Sequence, residues 1–266
     1  MLGEGAYWSS RDACFYWVDI KGRRIFRTGS DGTGELSWDT PDEVSFIVED
    51  PKSGNFLGAL RKGVARIALP PSGGSARINY ITMPENDLVQ NRFNDGGIDR
   101  YGNLWAGSMD DGEKNASGNW WHINTEGETR LLLSGFKVTN GPAFSPDGVH
   151  VYLNDSALCR TYRAQYDVNG IVSGLEVWNQ FDEAHGYPDG MAFDRNGLLW
   201  IAFWDGHCVR AYDEAGFIQR RVDLPVARPT NVAFNDYDIG FVTSARIGLN
   251  GDGLNGRPLM FEMRKN

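Results

Sequence analysis

The sequence predicts an all-β protein that folds as a six-bladed β-propeller, with four-stranded antiparallel blades around a central channel. Two observations lead to this fold class: one short pattern occurs six times along the chain, and its clearer copies contain two glycine-bearing turns. A third is the spacing, because successive copies begin 41 to 49 residues apart, which is typical of propeller blades. We expect residues 1–266 to form a single domain.

The repeated pattern is clearest in residues 94–107 and 189–202. Both segments place a hydrophobic residue, an aspartate, a turn glycine and a tryptophan in the same order. A β-sandwich with accidental turn spacing gives no reason for that order to recur, so the repeat favours a propeller. The first residues of the six copies are Glu4, Ser45, Asn94, Asn140, Asp189 and Thr230.

Each well-defined copy carries turn signals for two hairpins. A first turn of the form D-x-x-G or P-D-G separates two β-rich runs, as tight glycine turns do between paired strands. A second glycine turn follows at residues 124–127, 167–170 and 213–216. Two hairpins in each copy predict four strands in each blade. Because the first copy begins at Glu4, close to Met1, we expect the C-terminal residues 258–261 to take part in closing the ring.

Charge and hydropathy exclude several functional classes. The formal net charge of −9 argues against nucleic-acid binding, which needs a concentrated basic surface. No apolar run approaches the length of a membrane span, and no basic, apolar leader follows Met1. We therefore expect a cytoplasmic protein without nucleic-acid or membrane partners, acting on a small neutral or metal-bridged ligand.

The six equivalent positions predict a metal site. Inner strands of a propeller surround its axis, so these positions face one shared channel, and all six side chains carry an oxygen. Glu4 and Asp189 would repel each other there unless a cation lies between them. Oxygen ligands favour calcium, magnesium or manganese over zinc, which usually recruits sulfur or imidazole. The alternative is that each residue only caps a turn at a strand start.

Several segments together carry a family resemblance that covers nearly the whole chain. They are residues 2–8 (LGEGAYW), 91–95 (NRFND), 139–148 (TNGPAFSPDG), 187–191 (YPDGM), 228–231 (RPTN) and 242–246 (VTSAR). The chain resembles the family of senescence marker protein (regucalcin), gluconolactonases and luciferin-regenerating enzyme. That resemblance implies a six-bladed propeller in which Glu4, Asn140 and Asp189 bind one divalent metal, and in which Arg92 and Asn94 hold the oxygens of a sugar.

The function implied by the resemblance is metal-dependent hydrolysis of the ring ester of a sugar lactone. Calcium is the expected ion, with magnesium, manganese or zinc as alternatives, and it would stabilise the oxyanion formed by water attack. Asp189 is expected to act as a general base as well as a ligand. For Arg92 the simpler interpretation is a solvated charge at the rim. No acidic substrate contact is assigned in the lid-like residues 110–119.

Two other functions stay open at the level of sequence. The same cation would polarise a P=O bond as readily as a C=O bond, which allows a broader metal-dependent esterase or phosphotriesterase. A non-enzymatic calcium-binding propeller, in which the metal only stabilises the ring, is the second alternative. A Ser-His-Asp mechanism has little support because the sequence has no G-x-S-x-G motif.

Overall fold

The computed structural model describes residues 1–250 and 253–263, and it confirms the predicted six-bladed β-propeller. Apart from one two-residue strand, each sheet takes its strands from one repeat. The first three sheets contain β1 (Gly3–Ser9), β2 (Cys14–Asp19), β3 (Arg24–Gly29) and β4 (Leu36–Asp39); β5 (Val44–Glu49), β6 (Phe56–Leu60), β7 (Gly63–Ala68) and β9 (Arg77–Thr82); and β10 (Asn91–Ile98), β11 (Leu104–Asp110), β12 (Gly118–Ile123) and β13 (Thr129–Phe136).

The second half of the chain forms the other three sheets. They contain β14 (Thr139–Phe144), β15 (His150–Asp155), β16 (Arg160–Tyr166) and β17 (Val172–Gln180); β18 (Tyr187–Phe193), β19 (Leu199–Trp204), β20 (Cys208–Tyr212) and β21 (Ile218–Asp223); and β22 (Pro229–Phe234), β23 (Ile239–Ser244) and β24 (Leu259–Glu262). Two short 3₁₀ helices, Ser156–Leu158 and Glu183–His185, are the only helical segments among the residues described.

Two sheets depart from the regular four-strand count. The first gains a two-residue strand, β8 (Gly74–Ser75), which pairs with β4 in parallel. The sixth has three strands within the described part of the chain. Its last strand, β24, covers the C-terminal segment expected to help close the ring, but it pairs there with β23 of its own sheet. The other four sheets have four antiparallel strands each, as predicted.

Contacts between inner strands close the ring. Each inner strand contacts the next, in the order β1, β5, β10, β14, β18, β22 and back to β1. At the last junction Leu2 forms an isolated antiparallel bridge with Ala245, and the backbone N–H of Arg246 donates to Met1 O at 3.0 Å. Main-chain pairing near β1 therefore joins the first blade to the sixth.

The recurring aspartate and tryptophan have a shared structural role. Asp99 Oδ1 accepts two backbone N–H groups of the turn that holds Gly102, while its Oδ2 accepts the indole N–H of Trp105 at 3.2 Å. Asp194 accepts the indole N–H of Trp200 in the same way, at 3.0 Å. Both indoles are fully buried between blades, where their large apolar surface stabilises the ring. This pairing explains why the two residue types recur together.

Residues from adjacent blades form the hydrophobic core, which is a series of clusters around the axis. The fourth cluster, for example, packs Trp105 and Trp120 of the third blade against Val151 and Leu153 of the fourth. In the part of the chain that the structure describes, no helix has the length and apolar character needed to cross a membrane.

Candidate active site

The equivalent positions of the repeat lie where the inner strands lose regular pairing. Strand β10 shifts register between Phe93 and Asp95, and β18 shifts between Pro188 and Met191. The other four inner strands shift at the corresponding place. Such bulges re-aim side chains that regular alternation would send to a sheet face. They bring residues of different blades together at the axis.

Arg92, Asn94 and Asn140 are joined by direct hydrogen bonds. Arg92 Nη1 donates to Asn94 Oδ1 at 2.5 Å. Asn94 Nδ2 donates to Asn140 Oδ1 at 2.9 Å and to the carbonyl oxygen of Thr139 at 2.7 Å. Asn140 Nδ2 then donates to Ser156 Oγ at 2.8 Å. The structure thus brings three of the predicted site residues into one buried, hydrogen-bonded group.

Glu4 and Asp189, the other two predicted residues, are buried carboxyl groups that influence each other. Burial raises the pKa of Glu4 well above its usual range, and the carboxylates of Asp189 and Asp95 raise it further. Burial likewise raises the pKa of Asp189, with Asp95 again adding to the effect. Arg92 lowers both pKa values but does not offset these effects. A compensating positive charge would allow all these carboxyl groups to ionise.

Two of the six equivalent positions do not contribute to this group, contrary to the expectation that all six face the channel. Ser45 Oγ donates to the carbonyl oxygen of Phe93 at 2.7 Å. Thr230 Oγ1 donates to the carbonyl oxygen of Gly3 at 2.5 Å. Both hydroxyl groups are buried and bond to the main chain of another blade. They hold neighbouring blades together, because their short side chains reach the adjacent inner strand.

The connection between β11 and β12 reaches the site through Asp111. Its Oδ1 lies 2.7 Å from Arg92 Nε and 2.9 Å from Lys21 Nζ, and its Oδ2 lies 2.9 Å from Arg61 Nη1. Partial burial acts to raise the pKa of Asp111, but the bonds from Lys21 and Arg61 and the charge of Arg92 hold that pKa well below its usual range. Arg92 is therefore a fixed, buried guanidinium rather than a solvated rim charge.

The main chain around Asp189 is held by the fourth blade. Asn154 Nδ2 donates to the carbonyl oxygen of Asp189 at 2.6 Å, and Ser156 Oγ donates to that of Pro188 at 2.5 Å. The carboxyl oxygen Oδ1 of Asp189 is buried and has no hydrogen-bond partner among the residues that the structure describes. A buried carboxyl oxygen without a partner is energetically unfavourable, which indicates that a ligand belongs there.

Asp95 separates this polar group from a cavity at the other end of the channel. Its Oδ2 accepts the backbone N–H of Gly141 at 3.0 Å and Asn231 Nδ2 at 3.3 Å. Beyond it lies a cavity of about 290 Å³ to which all six inner strands contribute. Its apolar walls include Phe46, Phe144, Met191, Phe193 and Phe234. Asp95 and Asn231 are polar residues in the lining of this otherwise largely apolar cavity.

The residues present fit a hard divalent cation. Glu4 and Asp189 supply carboxylate oxygens, and the Asn140 amide is oriented so that its oxygen, not its nitrogen, faces Asn94. Within the described ranges, no group of three or more His, Cys, Asp and Glu residues is placed to hold a metal. The predicted set differs from such a group because its third ligand is an amide oxygen, a donor that calcium accepts readily.

Three residues of this site were missed at the level of sequence. Asp95 directly follows a channel position, and its acidic side chain beside Asn94 was the available signal. Asp111 lies in the lid-like 110–119 segment, where the sequence alone assigns no acidic contact. Ser156 carries no sequence signal, because its role depends on contacts with residues 16 and 32 positions away.

Comparison with known proteins assigns the family. Residues 2–246 match the family model described as the SMP-30/gluconolactonase/LRE-like region. The chain belongs to this family. The SMP-30/gluconolactonase/LRE-like match spans all six inner strands and every residue of the candidate site, so the resemblance noted in the sequence is confirmed.

Similar proteins of this SMP-30/gluconolactonase/LRE-like family include two named lactonases. L-arabinolactonase of Azospirillum brasilense is 34% identical over 258 residues, covering 95% of this chain and 84% of the relative. Pentonolactonase of Haloferax volcanii is also 34% identical over 258 residues, with the same coverage. A crystal structure described as a calcium-binding protein, regucalcin, from Agrobacterium tumefaciens superposes with a TM-score of 0.88 at 27% identity, covering 97% of this chain and 89% of that one.

Proposed function

We propose that this protein is a metal-dependent lactonase that opens the ring ester of a sugar lactone. The observation that carries the proposal is the buried Oδ1 of Asp189, which has no partner in the described part of the chain and lies near the buried carboxyl groups of Glu4 and Asp95. The names of the two lactonase relatives support the substrate class, and the similarity to a calcium-binding protein of Agrobacterium supports calcium. In this proposal Glu4, Asn140 and Asp189 hold one divalent ion, most readily calcium, with magnesium, manganese or zinc as alternatives.

A bound divalent ion supplies a Lewis acid that polarises the ester carbonyl and stabilises negative charge on its oxygen. Arg92 and Asn94 bind the hydroxyl oxygens of the sugar and so orient the ring. Arg92 suits this role because Asp111 and Asn94 fix its guanidinium through Nε and Nη1, and Nη2 has no hydrogen-bond partner in the described part of the chain. Such preorganisation reduces the entropy lost when substrate binds.

Asp189 is the proposed base. One oxygen of its carboxylate would bind the ion, and the other accepts a proton from the attacking water as the water oxygen bonds to the carbonyl carbon. When the bond between that carbon and the ring oxygen breaks, the proton held by Asp189 passes to the leaving oxygen, and the product is the open hydroxy acid. The main-chain bonds from Asn154 and Ser156 hold Asp189 in place during this transfer.

The proposal is tested by stripping the protein of metal and restoring single ions while measuring hydrolysis. A pH-indicator assay with a panel of aldonolactones, aryl esters and a phosphotriester should show lactone hydrolysis that requires one ion per chain. Glu4→Gln should bind the ion more weakly, whereas the control Glu128→Gln, on an exposed turn, should not. Elemental analysis showing no metal, with no ion required for turnover, would refute the proposal.

The same panel separates the two alternative functions. Faster turnover of the phosphotriester than of every lactone would indicate a broader esterase or phosphotriesterase. Strong stabilisation by calcium without hydrolysis of any substrate would indicate a non-enzymatic calcium-binding propeller, in which the ion only joins the blades.

A further inference from the structure

We propose that Ser156 is a positioning residue that sets the orientation of the Asn140 amide and thereby the affinity of the metal site. This inference rests on the proposed function, because it concerns one of the proposed ligands. Ser156 itself contacts neither substrate nor metal in this proposal. It acts through Asn140, whose Nδ2 donates to Ser156 Oγ at 2.8 Å.

Asn94, Asn140 and Ser156 form a series of hydrogen bonds that begins at Arg92 and ends at the carbonyl oxygen of Pro188. The groups at its two ends fix which atom donates and which accepts in each bond. At one end Arg92 can only donate, so Asn94 must present its Oδ1 to the guanidinium. The carbonyl oxygen of Thr139 can only accept, which likewise requires Asn94 Nδ2 on its other side. Asn94 therefore donates to Asn140, and Asn140 must offer its oxygen to that amide.

The contacts of Ser156, at the other end of this series of hydrogen bonds, require the same donor and acceptor assignment. The carbonyl oxygen of Pro188 accepts the Ser156 hydroxyl proton at 2.5 Å, so the lone pairs of Ser156 Oγ are left to accept from Asn140 Nδ2. The backbone of Ser156 is fixed as well, since its N–H donates to the carbonyl oxygen of Val138 at 3.0 Å. Only one orientation of the Asn140 amide satisfies both neighbours, and that orientation keeps its nitrogen away from the proposed ion.

Ser156 also links two of the proposed ligands. Asn140 lies in the fourth blade and Asp189 in the fifth, and the hydroxyl bonds to the side chain of the first and to the peptide that precedes the second. A single buried hydroxyl therefore sets both an amide orientation and a backbone position. Residues that orient metal ligands in this way typically change metal affinity or activity about 10- to 100-fold when they are removed.

The test compares calcium affinity by calorimetry on metal-free Ser156→Ala, Ser156→Thr and Ser9→Ala. Ser9 is the matched control. Its hydroxyl is also buried, but it bonds to Glu49, and Ser9 lies at the end of β1 that is farther from Glu4. We expect Ser156→Ala to bind calcium roughly 10- to 100-fold more weakly, and Ser156→Thr to stay within about threefold of the wild type. Ser9→Ala should keep wild-type affinity even if it unfolds at a lower temperature. At saturating calcium, Ser156→Ala should recover most of its kcat.

Other results would overturn the inference in distinguishable ways. A calcium affinity of Ser156→Ala within about threefold of the wild type would refute the role of Ser156 but not the proposed function. An equal loss of calcium affinity in Ser9→Ala would do the same. A wild-type protein that binds no divalent ion would refute the proposed function and this inference together. If Ser156→Ala does not fold, Ser156→Cys leaves no cavity, because its sulfur is somewhat larger than the hydroxyl oxygen, but it weakens both hydrogen bonds. The same loss of affinity is expected from it.

Discussion

Arg92 Nε donates a hydrogen bond to Asp111 Oδ1 at 2.7 Å. Arg92 lies near the start of β10, and Asp111 lies just past the end of β11. This contact holds the proposed substrate-binding arginine from the side of the β11–β12 connection. Asn94 holds it from the other side. The remaining nitrogen, Nη2, is thus presented in a fixed direction, as a donor to a bound sugar would need to be.

Replacing Arg92 with alanine should raise KM for a sugar lactone more than it changes metal affinity. Loss of a hydrogen bond from a charged donor costs about 1.5–3 kcal/mol, which corresponds to a rise in KM of roughly 10- to 100-fold. Steady-state kinetics and calorimetric metal titration measure the two effects separately. Arg66→Ala, which removes a pair with Asp50 in the second blade, is the control. A loss found mainly in metal binding would contradict the assignment.

Replacing Asp189 with asparagine should abolish hydrolysis while weakening metal binding only partly. The amide keeps an oxygen ligand but loses its charge and basicity, and loss of a general base costs about 10²- to 10⁴-fold in rate. The measurement is kcat at saturating metal. Asp194→Asn, just past the other end of the same inner strand, should leave metal affinity unchanged. Near-normal kcat at saturating metal would show that Asp189 is a ligand only.

The metal-free protein should become less stable as the pH rises from about 5 to about 7.5. Burial raises the pKa of Asp95 to about 7, and the pKa values of Glu4 and Asp189 are raised in the same direction. Between the unfolded and folded pKa values the folded state binds more protons, so the free energy of unfolding falls as pH increases. The lowered pKa of Asp111 acts only at more acidic pH.

Denaturant unfolding with chelator and with excess calcium, repeated across this pH range, measures the effect. Calcium should flatten the profile because a bound cation favours the ionised carboxylates. Asp95→Asn should flatten part of the metal-free profile, since it removes one of the three groups. A metal-free stability that is constant or rises over the range would contradict the electrostatic description of the site.

Glu85 provides a test of stability away from the site. Its buried carboxylate accepts bonds from Trp121 Nε1 at 2.8 Å, Asn119 Nδ2 at 2.7 Å, Asn91 Nδ2 at 3.0 Å and the hydroxyl of Ser108. Glu85→Gln places an amide nitrogen among donors and should lower the free energy of unfolding by about 1–3 kcal/mol. Metal affinity of the folded fraction should not change.

Chemical denaturation measures this loss, with Glu128→Gln as the control because Glu128 lies on an exposed turn and accepts from Asn124. An equal change in both variants would show that the four converging donors do not stabilise the third blade. A loss of metal affinity in Glu85→Gln would show instead that the blade transmits strain to Asn94.

Much of the architecture could be predicted from local signals in the sequence. The six copies, their turn glycines and the paired aspartate and tryptophan are short-range features, because each turn closes within a few residues. The equivalence of Glu4, Asn94, Asn140 and Asp189 followed from the same repeat. Family resemblance added Arg92 and the expected roles, and those roles stay predictions until the variants above are measured.

The sequence by itself determined the number of blades and the positions that approach the axis, because residues at the same position of each repeat occupy the same position in each blade. Only the tertiary structure decided which of those side chains meet. Asp189, beside a bulge in its inner strand, lies close enough to Asp95 for that charge to raise its pKa, while Ser45 and Thr230, at equivalent positions, bond to neighbouring main chains. Contacts such as Asn94 with Asn140 and Ser156 with the carbonyl oxygen of Pro188 join different blades, and no local pattern encodes them. They form because the ring places adjacent blades side by side.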